Sequence, residues 1–434
     1  MIKLIMILSL FSSLSFSKTF ILRMKKSVGL QTTSLKNYLG GVQIKKLDLS
    51  FGNFYLISIK SKSQFNKLKK LTKSKHFISV DRNIKFQLDS ITHKKTLIKG
   101  SKRSANMDTL FKQQWALKNT GDNAASRKVD RGIKGMDLNA VNAWKANKGD
   151  KKIKIAIIDT GINATHKDLR PNTYINEAEA NGTEGVDDDG NGFIDDVYGY
   201  DFYNRDGDPK DDHAHGSHCA GIIGAAHNDL GIRGLMANVQ MIGIKAFSGS
   251  GSGSLAGILQ SIDYAIKSNV DIISNSWGSR SNPGSSFQAA VDAAEKKGIL
   301  FIKAAGNSNG NNDIVGNDSN LKNSNVIIVG AHNGKGDKSY FSSFGKKNVH
   351  VFAPGSAILS TVLGSDYEKF SGTSMATPYV AALAGLIKSS EPNLTAQEIR
   401  ARIIKTSVAS GNLSEYSVSG GRVDAHRALN NITK

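Results

Sequence analysis

The chain has 434 residues, 39% apolar and 22% charged, which is enough for one large core and a smaller companion domain and excludes wholesale disorder. Its single cysteine, Cys219, excludes an internal disulfide, and 43 Gly without a triplet repeat exclude a collagen-like fibre. The formal charge of +20 is unevenly placed, because residues 18–106 hold 21 Lys and Arg against three acids while residues 107–434 hold 35 against 34. A nucleic-acid footprint on the larger segment is therefore not expected, and no nucleic-acid partner is assigned.

The first 17 residues, MIKLIMILSLFSSLSFS, combine Lys3, an apolar run and small residues at cleavage spacing, the pattern of a secretory signal peptide. The alternative is a membrane anchor, but about 13 apolar-biased residues fall short of the roughly 20 that cross a bilayer. The expectation is export to the periplasm or the extracellular space, with no membrane attachment after cleavage. Residues 18–106 are expected to form a basic α+β, ferredoxin-like domain with a linker: strands near 20–24, 54–59, 77–80 and 84–88, helical spacing at Phe65, Leu68 and Leu71, then the polar stretch ITHKKTLIKGSKRSAN. The boundary is expected between 95 and 107.

Residues 107–434 alternate apolar strands (153–158, 239–244, 271–275, 299–304, 326–329, 349–352) with helical segments (137–147, 214–225, 253–268, 284–297, 374–388, 395–405). This predicts a three-layer α/β domain around a mostly parallel sheet, with sites at the carboxyl ends of strands. Five residues follow the last apolar helical stretch, so no C-terminal sorting domain is expected.

Three segments fall at such junctions: IAIIDTGI ends a strand at Asp159, HAHGSHCAG opens a helix at His215, and GTSMATP opens another at Ser374. A serine hydroxyl becomes nucleophilic when an imidazole takes its proton, and a carboxylate fixes the imidazole's tautomer. Singly, the Asp reads as a loop cap, the His as a buried polar group and the Ser as a helix cap. A fourth segment, FIKAAGNSNG, delivers Asn307, whose amide with the Ser374 N–H would supply two donors to an oxyanion. The glycine-rich exits FSGSGSG (247–253, with Gly251) and SNSWGS (274–279) leave backbone edges on which an extended peptide can add as a strand.

The DTG, HGSHCAG and GTSMATP segments resemble the three signatures of the subtilisin-like serine proteases, and the resemblance spans about residues 107–434. It implies that Asp159 orients His215, that His215 acts as base and acid, that Ser374 attacks a peptide carbonyl and that Asn307 is the oxyanion donor, in a secreted endopeptidase of polypeptide substrates. Ser276, Trp277 and Gly278, facing Ala304, Ala305 and Gly306, would border the first substrate pocket, expected to be roomy, apolar and uncharged. Ser217 stands where Thr is more usual. Many members carry an N-terminal prosegment that aids folding and inhibits the site, so residues 18–106 are read as the chain's own propeptide, with charge complementary to the acidic 177–212 region assisting docking. A retained anchor to anionic surfaces is the alternative for this basic segment.

Residues 177–212 carry 13 acids against two bases, which asks for a cation. Asp187, Asp189 and Asn191 alternate before Gly192 like the first half of a calcium loop, but Tyr198 stands where a bidentate Glu is expected, and Asp196 is taken as the closing ligand instead. The resemblance implies calcium as cofactor and suggests a second site from Asp108, Asp201 and Asn228. A zinc site from His213, His215 and His218 lacks any HExxH arrangement. Cys219 is expected to be a buried neighbour and no nucleophile. A monomer is the default. The rival readings are an inactive binding relative of the same fold and a calcium-binding surface module.

Overall fold

The computed structural model describes residues 18–25, 32–71, 73–74, 76–88, 94–98, 108–124, 131–279, 281–314, 321–410 and 413–433. The signal segment and most of the linker lie outside them. The chain divides into two compact units, one reaching to Asn83 and including Gly284–Ser286, the other taking the remainder from Ile84.

The first unit runs β1 (Lys18–Met24), α1 (Thr32–Tyr38), β2 (Gln43–Leu49), β3 (Gly52–Ile59), α2 (Lys62–Leu71) and β4 (Phe77–Arg82). Its antiparallel sheet has the order β2-β3-β1-β4, the ferredoxin-like arrangement, over a core that includes Phe20, Leu22, Ile57, Phe65 and Leu68. Sequence reasoning passed over α1 and β2. In QIKKLDL only Leu47 and Leu49 are buried, so the apolar signal of that strand is weak.

The second unit begins with β5 (Lys85–Gln87) and β6 (Lys94–Ile98), and its strands then run β7 (Gly149–Asp159), β8 (Gly199–Asp201), β9 (Asn238–Lys245), β10 (Ser252–Ser254), β11 (Ile272–Asn275), β12 (Leu300–Ala304), β13 (Val326–His332), β14 (Val351–Pro354), β15 (Ile358–Thr361), β16 (Tyr367–Phe370), β17 (Val408–Ala409) and β18 (Gly421–Arg422). Nine form the central sheet in the order β17-β18-β14-β13-β12-β11-β7-β9-β8, parallel throughout except for the β17–β18 pair. Strands β11 to β14 are buried at every position, which is why their sequences read as continuous apolar runs. The helices that matter for the site are α3 (Ala140–Ala146), α4 (His215–Gly224), α5 (Leu255–Lys267), α6 (Ser285–Lys296) and α7 (Thr373–Ser390).

The unit boundary at Asn83 lies ahead of the expected linker. In β5 and the residue after it, apolar Phe86 and Leu88 are buried while Lys85 and Gln87 are exposed. That alternation fits a strand with one face on a core, and β5 pairs with β10 inside the second unit. Among the described residues no helix is long and apolar enough to cross a membrane.

Candidate active site

Asp159 is the last residue of β7 and His215 the first of α4, and the His215 Nδ1 to Asp159 Oδ1 distance is 2.7 Å with both side chains fully buried. Two backbone features bring them together. Gly216 lies against the loop after Asp159, where a Cβ would meet the Gly161 carbonyl oxygen at 2.0 Å, so the second helical residue must be glycine. Ala214, just before His215, is held at φ 84°, a left-handed conformation costly for a residue with a Cβ. The contacts that hold it come from Asp211: Oδ1 accepts the N–H groups of His213 and Ala214 at 2.9 and 3.0 Å and the Thr160 hydroxyl at 2.8 Å. Asp211 was not singled out by the sequence, where it is one acid among 13 in its region.

Ser374 lies in the first turn of α7, 3% exposed, and its hydroxyl donates to the Ser276 carbonyl oxygen at 3.0 Å. The turn is shaped by Pro378, which has no N–H for the Ser374 carbonyl four residues earlier. That carbonyl is satisfied from outside the helix, by the Ser276 hydroxyl at 2.9 Å and the Cys219 thiol at 3.5 Å. The helix of His215, the helix of Ser374 and the exit of β11 are thus fastened at one point. Asn307 follows Gly306, whose φ of 102° suits glycine alone, and the Asn307 Oδ1 accepts the Thr373 N–H at 2.8 Å and the Thr373 hydroxyl at 2.9 Å. With its oxygen held, the amide nitrogen faces Gly372, where a Cβ would lie 3.2 Å from it, beside the Ser374 N–H.

The candidate substrate residues frame β5. The Gly251 carbonyl accepts the Leu88 N–H at 2.8 Å, and Gly278 pairs with Gln87 on the other side. Trp277 is buried, donating to the Ile158 carbonyl at 2.8 Å, and its ring meets that of Phe86 edge to face at 5.4 Å. Ala305 is fixed by its N–H on the Val329 carbonyl and its own carbonyl on Asn312. Lys303, fully buried on β12, donates to the carbonyl oxygens of Trp277 at 2.9 Å and Ala304 at 3.3 Å. The position was overlooked because an isolated Lys in an apolar strand carries no motif.

Among the described residues His213, His215 and His218 do not fall together in one ligand group. His218 Nε2 faces the carbonyl oxygens of Ile358 and Glu368, and its ring stacks on Phe370 at 4.2 Å. Cys219 Sγ is grouped with Asp159 and His215 oxygen and nitrogen atoms within 4.8 Å, but burial pushes its thiol pKa well up, so the thiolate is disfavoured.

In the acidic region, carboxylate oxygens of Glu179, Asp189 and Asp196 lie within 4.8 Å of one another. Asn191 joins them, bonding Asp189 and Asp196 at 3.0 Å each, beside a cavity of about 190 Å³. Asp187 instead receives the N–H groups of Asn191 and Gly192 and shapes the turn, while Glu179 was missed because it precedes the motif. Burial raises the Asp196 pKa to about 6. Of the second trio, Asp108 Oδ1 accepts the Asn228 N–H at 3.1 Å, but Asp201 is elsewhere, its carboxylate tied to Tyr203 and Asn204 at the end of β8. The third carboxylate beside Asp108 and Asn228 is Asp168, fully buried, its pKa raised to about 6 by burial, and its Oδ1 has no hydrogen-bond partner among the described residues. The clustered hard oxygen donors of Glu179, Asp189 and Asp196 fit calcium, and at the second place the orphaned Asp168 oxygen favours a cation although Asp108 Oδ2 is already paired with the Arg233 guanidinium.

Residues 150–424 match the model of the subtilase family. The chain belongs to that family. This subtilase is 36% identical over 298 residues to subtilisin-like protease 1 of Plasmodium berghei (strain Anka), covering 64% of the chain and 49% of the relative. It is 33% identical over 344 residues to the minor extracellular protease Epr of Bacillus subtilis (strain 168), covering 79% and 45%, and 35% identical over 266 residues to subtilisin DY of Bacillus licheniformis, covering 61% and 86%. The chain therefore spans about half the length of the Plasmodium relative and of Epr.

Proposed function

We propose that the chain is an exported, calcium-supported serine endopeptidase made as a zymogen. The observation that carries this reading is the buried 2.7 Å contact between His215 and Asp159 beside a helix that presents Ser374. Asp159 accepts the Nδ1 proton, which directs the basic Nε2 toward the substrate side. Rotation about its side-chain bond turns the Ser374 hydroxyl from the Ser276 carbonyl to that nitrogen, and the proton then passes to the leaving amine. The Asn307 amide and the Ser374 N–H, at the positive end of α7, stabilise the oxyanion. The Asp159–His215 contact and the Asn307 amide beside the Ser374 N–H support an enzyme over a binding relative.

Calcium would be held by Glu179, Asp189, Asn191 and Asp196, and by Asp108, Asp168 and Asn228, where it supplies charge compensation that fixes loops. The zymogen reading is supported by β5, which lies antiparallel between β10 and Gly278 as an added strand, the mode in which an extended peptide substrate binds. Export rests on the first 17 residues and on the word extracellular in the name of the Bacillus relative.

Casein digestion by the purified full-length chain in calcium tests the catalytic reading. Activity is expected for the wild type and none for Ser374→Ala with an unchanged circular dichroism spectrum. Equal digestion by both proteins would overturn it.

A further inference from the structure

Strands β11 and β12 run parallel and in register, and their last rung joins Asn275 to Lys303. Past that rung the two chains carry different parts of the site. One passes through Ser276, whose carbonyl accepts the Ser374 hydroxyl at 3.0 Å and whose own hydroxyl donates to the Ser374 carbonyl at 2.9 Å. The other passes through Ala305 and Gly306 to Asn307. Ladder hydrogen bonds hold paired strands at a fixed spacing, and that restraint ends where the ladder ends.

The Lys303 side chain continues the restraint. Its ammonium donates to the Trp277 carbonyl, two residues past the rung on one exit, at 2.9 Å, and to the Ala304 carbonyl, one residue past it on the other, at 3.3 Å. It also lies 5.6 Å from the centre of the Trp277 ring, within range of a cation–π attraction. The lysine is fully buried, and away from water a charged donor binds its acceptors more firmly than at a surface.

Both exits then meet the first turn of α7. The Thr373 hydroxyl accepts the Gly306 N–H at 3.2 Å and the Thr373 N–H donates to Asn307 at 2.8 Å, while Ser276 holds Ser374 from the other exit. Lys303, the two exits and the turn of Ser374 therefore close a ring of contacts. We propose that Lys303 is a positioning residue for catalysis, bridging the two exits so that the Ser276 segment, which supports the nucleophile, keeps a fixed place relative to Asn307. It acts through the Trp277 and Ala304 carbonyl groups, and the assignment needs no contact with substrate. This rests on the endopeptidase reading and adds a residue to it.

The test compares the full-length wild type, Lys303→Met and Lys303→Gln on a chromogenic peptide in calcium, with active sites counted by phenylmethylsulfonyl fluoride titration run to completion. Methionine fills the space of the lysine stem without the ammonium group. Folded Lys303→Met is expected to show kcat per titrated site lowered about tenfold or more, because misplacing reacting groups by about 1 Å can cost a hundredfold, and KM raised by less than that. Gln, whose nitrogen stands one bond short of the lysine nitrogen, is expected to fall between Met and the wild type. A lysine that only stabilises the fold would lower Tm and the number of active sites but leave kcat per site and KM at wild-type values, and that result overturns the assignment. A rise in KM with kcat unchanged overturns it too, by placing Lys303 behind substrate binding alone. If Lys303→Met does not fold, wild-type kcat per site in Lys303→Gln overturns the assignment, and if neither folds, the lysine is a determinant of the fold and the assignment falls. A wild type that cleaves no peptide overturns the endopeptidase reading itself.

Discussion

Asp211 holds Ser217 twice, its Oδ2 accepting the Ser217 N–H at 2.9 Å and the Ser217 hydroxyl at 2.6 Å. Its other oxygen takes the N–H groups of His213 and Ala214, so one buried carboxylate gathers the start of the helix that carries His215. Anionic acceptors at a helix N-terminus satisfy orphan N–H groups and oppose the helix dipole. Asp211→Ala removes these bonds and the support for the strained Ala214. The expected outcome is a loss of about 2–4 kcal/mol of unfolding free energy, measured by urea titration, with kcat falling at least about tenfold as the imidazole loses its fixed position. A variant of wild-type kcat and stability would show the cap to be dispensable.

The Asn307 amide is aimed by Thr373, which binds its oxygen twice. Asn307→Ala is expected to lower kcat by about 10²–10³-fold with little change in KM, the loss typical of removing one oxyanion donor, because such a donor acts on charge that develops only in the transition state. Steady-state kinetics on a peptide substrate separate the two constants. A rise in KM with kcat unchanged would assign Asn307 to substrate binding instead.

The Asp159–His215 contact and the parallel sheet were legible in the sequence because each leaves a local mark: apolar runs in strands buried on both faces, and glycine-bounded junctions where Asp159 and His215 stand. What was hidden depends on contacts far apart in the chain. Asp168 joins Asp108 and Asn228 only through folding, and Asp201, equally acidic and equally close to motif residues, is turned to its own loop. Lys303 looked like an interruption in an apolar strand until Trp277 and Ala304 were seen to supply its acceptors. The short strand β5 was readable from its alternation, but its partner β10, three small residues in a glycine-rich stretch, carried no strand signal.

Cys219 lies next to Asp159 and His215 yet is fully buried, and burial with the nearby Asp159 charge raises its thiol pKa. A thiol of this kind is a poor nucleophile near neutral pH. Cys219→Ser is expected to keep kcat/KM within about threefold of wild type. Iodoacetamide at pH 8 is expected to label the native protein far more slowly than the urea-unfolded chain, with mass spectrometry as the readout. Loss of activity in Cys219→Ser with the fold intact would reopen a role for sulfur.

Calcium dependence should itself depend on pH, with a definite sign. Asp168 and Asp196 both titrate near pH 6 in the folded chain, above the ordinary carboxylate value of 3.8, because burial penalises their charge. Between about pH 4 and 6 the folded state therefore holds more protons than the unfolded one, and stability falls as pH rises through this window. Above it both groups are ionised at a cost that a bound cation relieves, and only the ionised groups ligate well. The rise in Tm on adding calcium to the chelated protein is expected to be larger at pH 7.5 than at pH 5. Asp168→Asn should reduce that rise at pH 7.5 and raise the Tm of the calcium-free protein there, since a neutral amide no longer suffers the buried charge. Scanning calorimetry of both proteins at the two pH values checks this, and a calcium effect that is equal at both, or larger at pH 5, would mean that these two carboxylates do not hold the ion.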